Sequence, residues 1–463
     1  HYLLFDGDCP NALIMTSGNY SEEPIATDNA DALKRLAPLA DAFLLHDRDI
    51  HIRTDDSVVR VFEGSELPIR RSRGYAPYPI KLPFDVPPIL AMGGELKNTF
   101  CITRDRYAFL SHHIGDLENL ETLRSFEQGV AHFERLFRIA PGVLAHDLHP
   151  DYLATRYAQE RANRQGQMLV GIQHHHAHIA ACLAENGHTG AEKVIGVAFD
   201  GTGFGTDGTI WGGEFLVADY AGFERAAHLA CLPLPGGDAG TRKPARVALA
   251  QLLSAGVTPE GLPPFAALSE VERRIVKKQL ASGLNSPLTS SLGRLFDAIA
   301  SIVGLRQEIN YEGQAAIELE AIADPLESGR YEFELRSPRP EAGGWSIETG
   351  SVIRAVVGDV RTGTSAAVIS ARFHNGLAAM VREVCAQLRR ARGLNQVALS
   401  GGVFQNITLL GKTGALLRAD GFEVLTHRLV PPNDGGIALG QALIAAQVLS
   451  TGKFDGTQGP SAA

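Results

Sequence analysis

At 463 residues the chain is long enough for two to four domains, about three at roughly 150 residues each. Its 44% hydrophobic and 21% charged residues exclude wholesale disorder, and a net charge of −9, from 43 Lys plus Arg against 52 Asp plus Glu, argues against a partner held by phosphate electrostatics, so no nucleic acid is expected. Apolar runs such as 299–305 fall far short of the roughly 20 residues of a membrane span, so a soluble protein without a membrane partner is expected.

The opening segment predicts an α/β unit over 1–82: a strand over 12–15, a turn at 16–19, a helix over 29–39 and strands around 43–45 and 57–61. Three prolines within eight residues predict a linker at 83–88. A strand over 89–92 then runs into Gly93-Gly94, followed by apolar runs at 100–103 and 108–111. The helix expected over 120–138 carries Leu123, Phe126, Val130, Phe133 and Phe137 at the three-and-four spacing of a buried face. A strand over 142–146, a helix over 152–165, a strand over 168–172 and a helix through the histidines complete a first lobe, 89–190, read as a mixed sheet with helices packed on it.

A second lobe is expected over 191–450, with strands over 194–199, 213–218 and 227–231. Inserts near 240–350 are mostly helical from 243 to about 320 and strand-rich near 331–347. A helix over 370–392, a strand over 396–400, a helix over 407–419, a strand over 423–426 and a helix over 436–449 finish the lobe, and 451–463 reads as a flexible Gly/Ser/Pro-rich tail. Two lobes of similar order predict a duplicated α/β fold around a nucleotide cleft, the plan of actin, hexokinase and the heat-shock ATPases. Cysteines at 9, 101, 182, 231 and 385 include no Cys-x-x-Cys pair, which excludes a thiolate zinc finger and fits a reduced, cytoplasmic chain. Because the chain opens on His1 and Tyr2 to Phe5 reads as the middle of an element, its true N-terminus is expected upstream.

Chemistry concentrates in a few places. His174 and His178 stand one helical turn apart and project from one face, a metal-ligand spacing. Asp200, at the end of the 194–199 strand, and Asp434, before the last helix, are the natural further ligands. The plainer reading, a His-rich helix start that only hydrogen-bonds backbone or solvent, explains less of this cluster. One divalent ion is therefore expected, iron or zinc, since mixed nitrogen and oxygen ligands suit both. Three glycine-rich elements, at 200–205, 312–315 and 400–406, lack any Walker or dinucleotide fingerprint. The third is the sharpest, because a strand ending in Gly401-Gly402 that opens a helix brings backbone N–H groups to a ligand.

These segments occur together in a recognisable order: TSGN from Thr16, DDSVVR from Asp55, RRSRGY from Arg70, SHHIGDLEN from Ser111, HDLHPDY from His146, QHHHAHIAAC from Gln173, FDGTGFGTDGTIWGGEF from Phe199, YEGQAAIELE from Tyr311, LSGGVFQN from Leu399 and PPNDGGIALGQA from Pro431. In that order, over almost the whole chain, they resemble the C-terminal part of the HypF family, carbamoyltransferases of nickel-iron hydrogenase maturation. Residues 1–82 resemble the second half of its YrdC-like domain, and the remainder its two lobes related to the tRNA-threonylcarbamoyl proteins.

The resemblance implies a metal on His174, His178, Asp200 and Asp434. It also implies a nucleotide site in which Asp297 and Glu318 reach ribose hydroxyls, Asn406 lies on the adenine side, and Gly201, Thr202, Gly313, Gln314, Gly401 and Gly402 line the remainder. The tRNA-modifying relatives carry Lys where this chain has Ala298, which puts the phosphate contacts in doubt. Thr16, Ser17, Asn19, Ser57, Arg70, Arg71 and Arg73 are implied contacts to carbamoyl-adenylate, although for the arginines a solvated edge explains the sequence nearly as well. The family's acylphosphatase-like domain, cysteine-rich zinc-finger region and first YrdC-like half have no counterpart here.

The implied chemistry converts carbamoyl phosphate and ATP to carbamoyl-adenylate, then transfers the carbamoyl group to the C-terminal cysteine of HypE as a thiocarbamate, the precursor of a cyanide ligand. Alternatives are an O-carbamoyltransferase acting on a small-molecule hydroxyl, an ATP-binding scaffold, and a metallopeptidase, which lacks its general base because position 175 is His. The chain is expected to transfer from preformed carbamoyl-adenylate without starting from carbamoyl phosphate, with 1–80 only marginally ordered.

Overall fold

The computed structural model describes residues 2–7, 10–20, 23–337 and 344–452. Its centre is a pair of similar sheets. The first runs in the order Ile80–Val86, Cys101–Leu110, Ile89–Ala91, Val143–Asp147, Met168–Ile172, with two antiparallel pairings followed by two parallel ones. The second repeats this with Phe223–Leu229, Ile210–Ala218, Val194–Phe204, Gln396–Ser400 and Glu423–Leu425, again antiparallel twice and then parallel twice. The duplicated two-lobed α/β plan expected from the sequence is thus present.

In the second lobe the outer antiparallel strand follows its hairpin in sequence. In the first lobe the same place is taken by Ile80–Val86, which precedes the hairpin. The stretch 83–88 is accordingly not a linker: alternate apolar residues Ile80, Leu82 and Val86 are buried, and the prolines are tolerated at an edge strand. The apolar runs at 100–103 and 108–111 are two ends of one strand, Cys101–Leu110, whose middle, Arg104 to Tyr107, is exposed.

Two helices join the lobes. Every residue of His174–Glu185 from His174 to Ala184 is buried, and so is every residue from Ile437 to Ala446 in the final helix, Ile437–Thr451. A helix apolar all round needs cover on all sides. These two pack on each other between the sheets, in one core cluster that includes Ala91, Cys101, Val194 and Ala398. The last helix therefore returns to the first lobe's sheet, so the lobe boundaries do not follow the chain order expected from 89–190 and 191–450.

The inserts are helical over Pro244–Ser254, Glu270–Ser282, Leu292–Ile302 and Gln314–Ala321, with short strands Glu334–Arg336 and Trp345–Glu348 and an additional helix, Gly350–Arg361. The helix expected from 370 begins earlier, at Ala366, where Ser365 accepts the Val368 N–H as a cap. Near the start of the chain the helix Asn29–Arg35 and the hairpin Val58–Phe62 with Ser65–Arg70 form, whereas the strands expected at 12–15 and 43–45 do not. The tail expected over 451–463 lies outside the described residues from 453 onward, as does Cys9. Among the described residues no helix is long and apolar enough to cross a membrane.

Candidate metal centre and nucleotide cleft

Gln173 caps the N-terminus of His174–Glu185, its side chain accepting the His176 N–H, so the turn that carries the histidines starts in fixed register. His174 and His178 then point to one side of the helix. Asp200 comes from the strand Val194–Phe204, and Asp434 from the single turn Asp434–Gly436 before the last helix. One donor atom from each of these four buried residues lies within 4.8 Å of all the others.

The spacing suits a shared ion. Two donors each roughly 2.1 Å from one tetrahedral ion stand roughly 3.4 Å apart. His174 Nε2 is 3.6 Å from Asp200 Oδ2 and 3.5 Å from Asp434 Oδ1, and His178 Nε2 is 3.5 Å from Asp434 Oδ1. Only His178 Nε2 and Asp200 Oδ2 close to a hydrogen bond, at 2.8 Å. The buried His174 Nε2 has no hydrogen-bond partner at all. An orphaned ring nitrogen among three other donors is what a cation would complete, and the donor set fits zinc or iron.

Burial opposes charge on each imidazole, but Asp434, Asp147 and Asp200 outweigh it at His174, whose pKa stands well above the ordinary value; Asp200 and Asp434 likewise raise that of His178. Against the same burial the two histidines hold Asp200 well below the carboxylate range and Asp434 at about 2.

Asp200 and Asp434 also form part of the wall of a cavity of about 630 Å³. Gly201, Asp297, Gly313, Gly402 and Asn406 line it with them. Gly401 adopts φ +100°, and a Cβ there would lie 2.2 Å from the Phe199 carbonyl oxygen, so only glycine permits this turn beside the strand that carries Asp200. Asp297 is buried, and burial raises its pKa. Its Oδ2 lies 3.0 Å from Arg294 Nε without an aligned hydrogen bond, which leaves an acceptor at the wall. Asn406 is occupied locally: its Oδ1 accepts the Leu409 N–H and its amide donates to His374 Nε2.

Thr202, Gln314, Glu318 and Gly401 do not line this cavity. Glu318 is turned away, held by Arg306 and Gln314. Gly313, Ala316, Ile317 and Glu320 share the face that lines it, so the carboxylate this helix presents to the cavity is that of Glu320. It pairs with Arg60 at 2.8 Å and accepts the Thr408 N–H at 3.1 Å. The spacing 313, 316, 317, 320 is visible in the sequence and signals Glu320 over Glu318. Arg60 carries no such local signal, because the Val58–Phe62 hairpin reaches the cleft only through the tertiary fold.

A second cavity, about 470 Å³, gathers Ser17, Asn19, Arg70, Arg71, Lys97 and His113. Thr16, Ser57 and Arg73 stand outside it. Ser57 instead joins Arg73 to Ser72, donating to the Arg73 carbonyl and accepting the Ser72 N–H, and Arg73 pairs with Asp56 at the surface. Arg71 is buried, donating to the carbonyls of Leu110 and Tyr78, and burial pushes its pKa down to about 10. Val58, Ile69, Lys97, Glu312 and Asn433 line both cavities, so the partition between them is thin.

Residues 196–441 match the family model described as carbamoyltransferase, Kae1-like domain, second subdomain; 85–185 match the HypF Kae1-like domain; and 1–72 match the Sua5/YciO/YrdC model, described as telomere recombination. Carbamoyltransferase HypF2 of Cupriavidus necator is 44% identical over 460 residues, covering 94% of this chain and 56% of the relative. Carbamoyltransferase HypF of Rhizobium leguminosarum is 42% identical, covering 97% and 58%. The chain spans a little over half the length of these curated relatives. The crystal structure of full-length HypF in the phosphate- and nucleotide-bound form superposes with a TM-score of 0.88 at 44% identity, over 94% of this chain and 67% of that one.

Proposed function

The chain belongs to the HypF carbamoyltransferase family, and from that premise we propose that its two lobes take a carbamoyl group from carbamoyl-adenylate and deliver it to the C-terminal cysteine of a HypE-type acceptor in nickel-iron hydrogenase maturation. One observation carries this reading: Asp200 and Asp434 belong at once to the four-donor cluster and to the wall of the larger cavity. An electrophile joined to a nucleotide in that cavity lies against the cluster. Carbamoyl phosphate and ATP are the ultimate substrates, and a relative crystallised with phosphate and nucleotide bound supports that choice.

Carbamate is a poor electrophile, and its mixed anhydride with AMP supplies a good leaving group. The acceptor thiol gives its proton to solvent, its sulfur attacks the carbamoyl carbon to form a C–S bond, and the C–O bond to phosphate breaks, AMP leaving with the electron pair. A divalent ion held by His174, His178, Asp200 and Asp434 would supply Lewis acidity beside the carbamoyl oxygen. Asp297, with Glu320, receives the ribose hydroxyls. Arg60 and Lys97 provide the cations for phosphate that Ala298 cannot. Asn406 fixes the turn that follows Gly401-Gly402, and Ser17, Asn19, Arg70 and Arg71 face the anhydride in the smaller cavity, where it forms. The reading sets the protein in the cytoplasm, in keeping with four described cysteines that are all free.

The test supplies metal-loaded chain with preformed carbamoyl-adenylate and a HypE-type acceptor, then examines the acceptor's C-terminal peptide by mass spectrometry. A thiocarbamate with the wild type and none with His178→Ala is the expected result. Carbamoylation of a small hydroxyl compound with the acceptor untouched replaces this reading by O-transfer, and nucleotide binding without any acyl product leaves only a scaffold.

A further inference from the structure

The motif His146-Asp147-Leu148-His149 lies outside the four-donor cluster, yet it ends beside it. Asp147 closes the strand Val143–Asp147, opposite Ile172 in the neighbouring parallel strand, two residues before His174. Its carboxylate is fully buried. Oδ2 stands 2.8 Å from His174 Nδ1, with neither side chain exposed, and Oδ1 accepts the His149 N–H at 2.9 Å. Both oxygens are therefore held, one by the backbone of the next turn and the other by the ring.

A carboxylate only accepts hydrogen bonds when ionised, so the 2.8 Å contact puts the proton of His174 on Nδ1. In the neutral ring, the form that ligates a cation, the lone pair is then on Nε2, the buried atom without a partner that faces Asp200 and Asp434. Carboxylate to imidazole to cation is a recurring arrangement that fixes the ligand's tautomer and ring angle and raises its basicity. We propose that Asp147 is a positioning residue for the metal: it orients His174 Nε2 toward the ion, and through its strand it gives the first lobe's sheet a hold on a centre whose carboxylates are Asp200, on the second lobe's sheet, and Asp434, before the last helix. This rests on the metal reading of the cluster.

The experiment measures Zn²⁺ affinity of the whole chain at fixed pH by competition with a chromophoric chelator, and records the visible spectrum of the Co²⁺-loaded form. Asp147→Asn is expected to bind Zn²⁺ roughly 10 to 100-fold more weakly, with a shifted Co²⁺ spectrum and a melting temperature in chelator close to wild type. Thr155→Val, which removes a hydrogen bond to the Asp147 backbone carbonyl alone, is expected to keep wild-type affinity. If Asp147→Asn does not fold, Asp147→Glu, which keeps the charge but moves it by a methylene, is expected to show the same weakening. Wild-type Zn²⁺ affinity and an unshifted spectrum in the folded Asp147 variant overturn the inference while His178→Ala still loses the ion. A wild-type chain with no more affinity than His178→Ala overturns the metal reading itself.

Discussion

Glu318 and Glu320 sit on one short helix and face different surroundings. Glu318 is committed to Arg306 and Gln314, while Glu320 stands on the cavity wall between Arg60 and the start of Ile407–Ala419. Glu320→Ala is accordingly expected to weaken AMP binding by about 1.5 to 3 kcal/mol, the worth of a charged hydrogen bond, and Glu318→Ala to leave it unchanged in calorimetry. Equal losses in both variants would return the ribose to Glu318. At this scale the sequence was informative where chemistry and spacing coincide: a His pair one turn apart and two Asp beside strand ends are the residues that the fold brings together. At Glu320 the signal lay only in the helical spacing from Gly313, and at Arg60, on a distant hairpin, there was none. Asp147 belongs to the second kind, since nothing near position 147 shows that its carboxylate meets His174.

Among elements, the boundaries that periodicity defines came through well: Met168–Ile172, Gln396–Ser400 and Ile407–Ala419 match the expected spans. Ile80–Val86 did not, because proline content is a local signal and sheet membership is not. The two central helices show how closely elements fit. A Cβ on Gly440 would fall 1.9 Å from the Ala177 carbonyl oxygen, in the turn between His174 and His178. Gly440→Val must push the helices apart, at a cost of about 1 to 3 kcal/mol for overpacking. Since Asp434 opens one helix and the histidines the other, a lower melting temperature and weaker Zn²⁺ affinity should appear together; normal affinity in a destabilised protein would show that the cluster does not depend on this contact.

The segment after Cys101–Leu110 predicts a pH effect. Burial, helped by His132 and Arg53, pushes His112 down to about 4, whereas an unfolded histidine titrates near 6.5. Between those values the unfolded chain binds the proton that the native state refuses, so stability is full above pH 6.5 and falls toward pH 4. His112→Gln should remove on the order of 2 to 3 kcal/mol of that acid loss. Melting curves at pH 7.5 and 5 check this, and an undiminished pH difference in the variant would remove His112 as the cause.

At the scale of the molecule, two sheets of equal plan are held together by helices that follow one lobe and pack on both, and the Val58–Arg70 region is fastened to the second lobe. Leu67 is 2% exposed within that lobe's core, Glu63 pairs with Arg418, and Asn433 donates to the Ile69 carbonyl. By contrast, Pro24 is the one buried residue among the described residues before Val58. Deleting 1–56 should therefore leave the lobes intact, with a melting temperature within a few degrees of the full chain and Zn²⁺ affinity unchanged. Deleting 1–72 removes Leu67 from the core, a loss of roughly 2 to 5 kcal/mol for such a side chain, and takes Arg60 from Glu320. That shorter chain should melt several degrees lower and bind AMP more weakly. Scanning fluorimetry and calorimetry on the two deletions decide the matter: if they behave alike, the hairpin is no part of the cleft.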